Sequence, residues 1–169
     1  ADYYLKKEWI VSEYGLPILQ VETPEVLVRD LVTSKNPNIK NIAQFSWQKP
    51  EDKLAISLQT IAYKDSVKVN LKQLFNDELS QLTQEEAKKI QTTAKKFKNV
   101  KALSGDVLEG TFEITEAKET KKRRFFTVFI SDSYGLQTVR ITHDAKDKLA
   151  KDFIDRITNS LEQINQEDE

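Results

Sequence analysis

The stretch 124-RFFTVFI-130, which lies between 107-VLEGTFEIT-115 and 136-LQTVRIT-142, decides the fold of this chain. In 107–115 apolar and polar side chains alternate, which is the two-residue period of a β-strand, and 136–142 carries the strand-like Val139 and Ile141. Both alternating sets of 124–130 are largely apolar, so this strand is expected to be central and covered on both faces. In 107–115 the apolar set alternates with Glu and Thr, so one side of that strand is expected to face water.

An amphipathic helix is predicted after the third strand. Asp144 is a candidate N-cap, because a carboxylate can accept hydrogen bonds from the first free N–H groups of a helix. The apolar residues that follow recur at three- and four-residue intervals; they are Leu149, Phe153, Ile154, Ile157, Leu161 and Ile164. We predict that Phe126 and Val128 lie in the interior strand and that Phe153 and Ile157 pack onto the sheet from this helix.

The middle of the chain carries signals for a hairpin and two helices. Strands are predicted at 42–48 and 54–63, separated by a polar five-residue loop. Within the second strand the apolar face changes, and a bulge near Gln59 or Thr60 would account for the change. Asn70 is a candidate cap for a helix that carries Leu71, Leu74, Phe75, Leu79 and Leu82.

A second helix is predicted directly afterwards. Thr83 and Glu86 have the spacing of a capping box, and Ala87, Ile90, Ala94 and Phe97 follow at helical intervals. The first forty residues are the hardest to interpret. Residues 9–21 and 26–32 are expected to be extended, with prolines between and within them.

Length and composition indicate one ordinary globular domain. The chain has 169 residues and 38% hydrophobic content, enough to bury a core, and we expect a single domain over 1–169 and a monomer. Lys plus Arg number 26 and Asp plus Glu number 27, so no global charge favours nucleic acid or an anionic membrane. No apolar run approaches the length of a bilayer span, and we expect no transmembrane segment.

The sequence begins at Ala1 and contains neither cysteine nor methionine. Either an export signal has been removed or the start is a cloning boundary, and we favour processing and export. A lipid-modified cysteine ahead of Ala1, and hence a lost lipid anchor, is compatible with this interpretation. The missing cysteines exclude thiol catalysis, disulfides and thiolate metal sites within the sequence.

Catalytic signals are sparse. His143 is the only histidine, so a His-rich metal site is excluded and any Ser-His-Asp site would have to use it; we expect a surface or capping residue. None of the glycines falls in a phosphate-binding pattern, and paired carboxylates lie at predicted helix starts, where they favour the helix dipole. We predict no cofactor, no metal and no catalytic residue.

Two basic clusters are candidate binding surfaces. Lys121, Lys122 and Arg123 gather at the entrance to the central strand, and we treat them as a possible site for a protein partner. A second set lines the predicted second helix and the residues just after it; its members are Lys88, Lys89, Lys95, Lys96, Lys98 and Lys101. For both clusters the alternative is a solvated surface. The neighbouring phenylalanines are better explained as core than as base-stacking platforms, so nucleic-acid binding is not expected.

The order of these elements resembles the PsbP-like family, which includes a photosystem subunit, bacterial lipoproteins and a Ran-binding import factor. The resemblance rests on residues 104–114 and 124–130, the Tyr134-Gly135 turn and residues 153–161. It implies an α+β fold in which an antiparallel sheet is sandwiched between helices. No metal-site or partner-binding residue of the family carries over to a position here.

The function expected from the sequence is therefore a non-enzymatic, extracytoplasmic binding or assembly module, periplasmic, secreted or at the cell surface. One alternative is a hydrolase whose carboxylates converge only in three dimensions. Another is an intracellular adaptor for a protein partner. A cleft lined by acidic residues with raised pKa would favour the hydrolase, whereas a polar, solvated sheet face without a pocket would favour the binding module.

Overall fold

The structure is a computed structural model that describes residues 2–83, 90–96, 106–115 and 122–164. Its helices are α1 (Asp2–Lys6), α2 (Leu71–Thr83) and α3 (Ala150–Asn159), and a 3-10 turn spans Pro50–Asp52. Its strands are β1 (Ile10–Tyr14), β2 (Leu19–Thr23), β3 (Val28–Asp30), β4 (Ile39–Lys49), β5 (Leu54–Tyr63), β6 (Ile90–Lys96), β7 (Asp106–Thr115), β8 (Lys122–Ser131), β9 (Gly135–Asp144) and β10 (Glu162–Gln163).

Within the described residues, seven strands form one antiparallel sheet in the order β3-β4-β5-β9-β8-β7-β6. A small sheet has the order β1-β2-β10. β8 lies between β9 and β7, and its residues 125–131 are all buried. The prediction of a central strand covered on both faces is thus confirmed, because each face of β8 meets a different apolar layer.

The first layer consists of α3 and the small sheet. Phe153 and Ile157 of α3 are fully buried and pack in one cluster with Phe126 and Val128. Leu19 and Val21 of β2 join the same cluster from the small sheet. The predicted packing of the C-terminal helix on the sheet is therefore confirmed.

The second layer is α2, which covers the opposite face of the large sheet. Leu71 and Phe75 pack there against Leu108 and Phe129. Gly110 permits this approach, since a Cβ atom built on it would lie 2.0 Å from the Phe75 ring. The large sheet is sandwiched between helices, as the sequence predicts.

The α3 helix starts later and ends earlier than predicted. Asp144 is not its N-cap: the Asp144 carboxylate accepts a hydrogen bond from the N–H of Lys146 at 3.0 Å, which makes a local turn. A second turn follows, with the Asp147 carboxylate bonded to the N–H of Leu149. At the other end the chain leaves the helix after Asn159, and β10 pairs with β2.

The predicted second helix is wrong, because residues 90–96 form β6. β6 pairs with β7 along its whole length, from Ile90↔Ile114 to Lys96↔Leu108. Tertiary pairing at an open sheet edge outweighs a weak helical pattern, and the β-branched Thr92 and Thr93 suit a strand. The other marked positions of that helix, Glu86, Ala87 and Phe97, lie outside the described residues.

Two smaller expectations are also wrong. The pairing of β4 with β5 is regular around Gln59 and Thr60, and its register shift lies between Ile39 and Asn41. The apolar face of β5 changes because Ile61 packs in the α2 layer, so no bulge is needed. On β7, the side expected to face water carries Glu109, which is buried because it lies opposite Val128 on the side of the sheet that the α3 layer covers.

Candidate functional site

An open part of the large sheet lies on the α2 side of β4, β5 and β9. We call it the polar face; its members are Gln44, Ser46, Gln48, Ser57, Gln59, Thr138, Arg140 and Thr142. Gln48 is exposed and the other members are half-buried, whereas alternating residues such as Ile56 and Ile141 are buried under α3. The two-residue period of the strands thus separates an apolar α3 side from a solvated polar side.

Cross-strand pairing arranges the polar face in three rows. The rows are Gln44–Gln59–Thr138, Ser46–Ser57–Arg140 and Gln48–Ala55–Thr142. Directly opposite residues have Cβ atoms about 4.5–5.5 Å apart, close enough for side chains to interact. Gln59 Nε2 donates to Gln44 Oε1 at 3.4 Å. The polar face therefore presents amides and hydroxyls around one guanidinium group.

An ion pair between Arg140 and Glu78 marks the boundary between the polar face and α2. Glu78 is 8% exposed, and burial lowers the pKa of Arg140 from its ordinary value. Beyond this ion pair, and within the described residues, the Glu78 oxygens, the Arg140 Nε and the Thr127 hydroxyl have no hydrogen-bond partner. Thr127 pairs directly with Arg140 across the strands. The end of α2 therefore rests on polar groups whose hydrogen bonding is incomplete.

A cleft of about 290 Å³ adjoins the end of the polar face. It is lined by Gln48, Pro50, Lys53, Leu54, Ala55, Phe125 and Thr142. Lys53 Nζ lies 3.2 Å from an Asp144 carboxylate oxygen. The backbone N–H of Lys146, together with Lys53, holds the pKa of Asp144 below its ordinary value. The cleft lining is neutral and basic, so it does not provide paired carboxylic acids.

His143 is buried, at 4% exposure, so the expectation of a surface or capping residue is wrong. Its position in β9 places it on the α3 side of the sheet, where the core covers it. Its Nδ1 lies 2.8 Å from the carbonyl oxygen of Asp144, to which a protonated Nδ1 donates. Burial lowers the pKa of His143 below its ordinary value, which keeps the ring neutral.

The basic run is only partly described. Lys121 lies outside the described residues, whereas Lys122 and Arg123 begin β8. Arg123 pairs in register with Asp144, the residue whose carboxylate bonds Lys53 at the cleft. The run thus enters the sheet beside the cleft. Of the second basic set, Lys95 and Lys96 lie in β6, while Lys88, Lys89, Lys98 and Lys101 fall outside the described residues.

Among the described residues, no group of three or more His, Asp or Glu side chains is arranged to hold a metal ion. No helix in these ranges has the length and apolar character needed to cross a bilayer.

The polar face was not predicted from the sequence, although a signal was present. Polar residues stand at every second position in 44–48, 57–59 and 138–142, and each set belongs to a strand whose other face is apolar. The sequence pattern did not show that these three strands are neighbours.

Comparisons with known proteins support the fold. No protein-family model and no curated protein sequence matches the chain. The structure is similar to the solution structure of cyanobacterial PsbP (CyanoP) from Synechocystis sp. PCC 6803, with a TM-score of 0.57, 13% identity and 92% of each chain covered. LpqN, involved in cell envelope biogenesis of Mycobacterium tuberculosis, matches with a TM-score of 0.42 and 11% identity over 95% of this chain and 94% of LpqN. The likeness to CyanoP confirms the predicted PsbP-like fold.

Proposed function

We propose that this chain is a non-enzymatic binding or assembly module that docks a protein partner on the polar face. The observation that carries the proposal is the open array of amides and hydroxyls around the Arg140 guanidinium on three neighbouring strands. Such groups exchange hydrogen bonds with water for hydrogen bonds with a partner, and a rigid sheet fixes their positions in advance. The adjoining cleft offers a recess for a partner side chain.

The pKa pattern supports binding over hydrolysis. A carboxyl group that acts as a general acid needs a raised pKa. Hydrogen bonds from Trp47 and Lys7 lower the pKa of Glu25, and the Lys146 N–H and Lys53 lower that of Asp144. These shifts stabilise the ionised carboxylates, which is the opposite of what an acid catalyst requires.

The proposal includes a location and a secondary contact. We place the protein outside the cytoplasm as a processed lipoprotein, because its sequence resembles a family that contains exported lipoproteins, and we propose that it is a monomer. We also propose that Lys121, Lys122 and Arg123 contribute to docking, since β8 begins beside the cleft. Mass spectrometry of the protein isolated from its own cells tests the lipid anchor.

Photo-crosslinking in the native cell tests the docking surface. A benzophenone amino acid at Gln59 is expected to give a discrete adduct with one protein, and the same group at exposed Asn159 of α3 serves as the matched control. An adduct from Asn159 but not from Gln59 would place the partner on the α3 side of the sheet and would contradict the proposal. A hydrolytic activity that survives purification and is lost in Asp144→Asn would replace the binding proposal with the hydrolase.

A further inference from the structure

β3 leaves one edge of the large sheet unprotected. It stands first in the strand order and pairs only with β4, over Val28↔Ser46 to Asp30↔Gln44. Within the described residues its outer side has no strand neighbour. An edge strand of this kind presents free N–H and C=O groups that can pair with another extended chain.

Apolar side chains surround this edge and are in contact with water. Val26 is 53% exposed, Val28 is 69% exposed and Leu31 is fully exposed. Val26 and Val28 are two residues apart, so they project to the same side of an extended chain. Exposed apolar residues grouped on a small surface commonly mark an interaction site. Leu27, between them, is buried, and its N–H donates to the Tyr14 hydroxyl at 2.9 Å, which anchors the segment.

The charge on the other side of β3 specifies the chemistry of the added chain. The Arg29 side chain is exposed, and no described residue forms an ion pair or hydrogen bond with its guanidinium, although its backbone pairs with that of Phe45. In a sheet, a residue directly opposite on the next strand lies on the same side, and an opposite charge there is favourable. An added strand that matches this edge therefore carries an acidic residue opposite Arg29 and apolar residues opposite Val28.

A second copy of this chain is a poorer match. When two β3 strands pair antiparallel about a two-fold axis perpendicular to the sheet, the odd-numbered residues of both copies project to the same side. The residue directly opposite Arg29 must therefore be odd-numbered. The odd-numbered residues nearby are Glu25, Leu27, Arg29 itself and Leu31. Glu25 is the acidic residue among them, and its carboxylate is already bonded to Lys7 and Trp47, so self-pairing leaves Arg29 without a free acidic partner.

We propose that the outer edge of β3 binds an extended segment of a partner protein, one that alternates apolar and acidic side chains, by adding it to the sheet as an eighth strand. The inference rests on the proposed function in taking the partner to be a protein. Val28 is in register with Ser46 of the polar face, so a segment added to β3 continues directly onto that face.

A peptide titration tests the proposal on the intact chain. The probe is the acetylated, amidated peptide Val-Glu-Val-Glu-Val-Glu-Val, and the comparison peptide has Lys in place of each Glu. We expect NMR shifts and slowed amide exchange in β3 with the acidic peptide. Arg29→Glu should weaken its binding about fivefold or more and reverse the preference toward the Lys peptide. Lys148→Glu, a charge reversal at an exposed site near α3, should leave both affinities unchanged.

Several outcomes would overturn the strand-addition proposal. They are absence of binding up to the solubility limit, binding that Arg29→Glu and Val28→Ser leave unchanged, and slowed exchange only outside β3. Self-association through β3, or vesicle binding lost in Val28→Ser, would assign the edge to a second copy or to lipid instead. Circular dichroism of each variant confirms that it folds. If Gln59 gives a crosslinked partner but the peptide does not bind, the proposed function stands and only this inference is overturned.

Discussion

Replacing Arg140 by leucine should destabilise the protein more than replacing its ion-pair partner Glu78 by leucine. The reason is an asymmetry in burial, since the side chain of Glu78 is 8% exposed and that of Arg140 is 33% exposed. Without Arg140, the carboxylate of Glu78 stays buried between α2 and the sheet with no compensating charge. Without Glu78, the guanidinium can turn toward water on the polar face.

The magnitude follows from these exposures. Removing one partner of a buried ion pair costs about 3–5 kcal/mol, and solvent access to Arg140 places Arg140→Leu near the lower limit, at about 3 kcal/mol. For a domain of this length 1 kcal/mol shifts Tm by roughly 2–4 °C, so Arg140→Leu should lower Tm by roughly 6–12 °C. Glu78→Leu leaves a guanidinium that water can reach, and we expect about 1 kcal/mol.

The double variant Glu78→Leu/Arg140→Leu completes the cycle. It removes both charges and replaces incompletely hydrogen-bonded groups with apolar ones, so its stability should be close to that of the unmodified protein or higher by about 1 kcal/mol. Urea unfolding followed by circular dichroism gives the four free energies. A double variant as unstable as the sum of the two single variants would refute the ion pair and the incomplete hydrogen bonding that we assign to the end of α2.

Two further predictions concern the α3 side of the sheet. Phe153 is fully buried, with its ring centre 5.3 Å from that of Trp9 and 6.3 Å from that of Trp47. Phe153→Ala should therefore lower the free energy of unfolding in urea by about 3–5 kcal/mol. An unchanged unfolding midpoint would exclude α3 from the core. The pKa of His143 is lowered from 6.5 by burial, so its contribution to stability is present above pH 6.5 and lost as the pH falls through the lower folded value. NMR titration of this single histidine checks the direction, and a pKa at or above 6.5 would mean that the ring is solvated.

The sequence predicted those parts of the fold whose local signals agree with the tertiary structure. The near-continuous apolar run in 124–130 arises because β8 is buried on both faces, and burial on both faces is also what that run predicts. Asn70 was identified as a cap from its residue type, and its side chain accepts a hydrogen bond from the N–H of Gln73 at 3.1 Å.

The remaining features depend on contacts between distant segments. Residues 90–96 become a strand because β7 offers an edge with which to pair, and no local pattern records that edge. Asp144 has the residue type of a helix N-cap, yet its carboxylate accepts a hydrogen bond from Lys53, which is 91 positions away in sequence. The polar face likewise needs β9 to lie beside β5, and only the folded chain brings those strands together.

The measurement that tests the polar face most directly is the affinity for the partner recovered by crosslinking at Gln59, compared between two variants. Ser46→Lys places a long charged side chain on the polar face, whereas Asn159→Lys places the same group on exposed α3, across the sheet. We predict that Ser46→Lys weakens binding at least about tenfold, or about 1.4 kcal/mol, and that Asn159→Lys leaves the dissociation constant within about twofold. The account is contradicted if Ser46→Lys binds as tightly as the unmodified protein or if Asn159→Lys alone loses affinity.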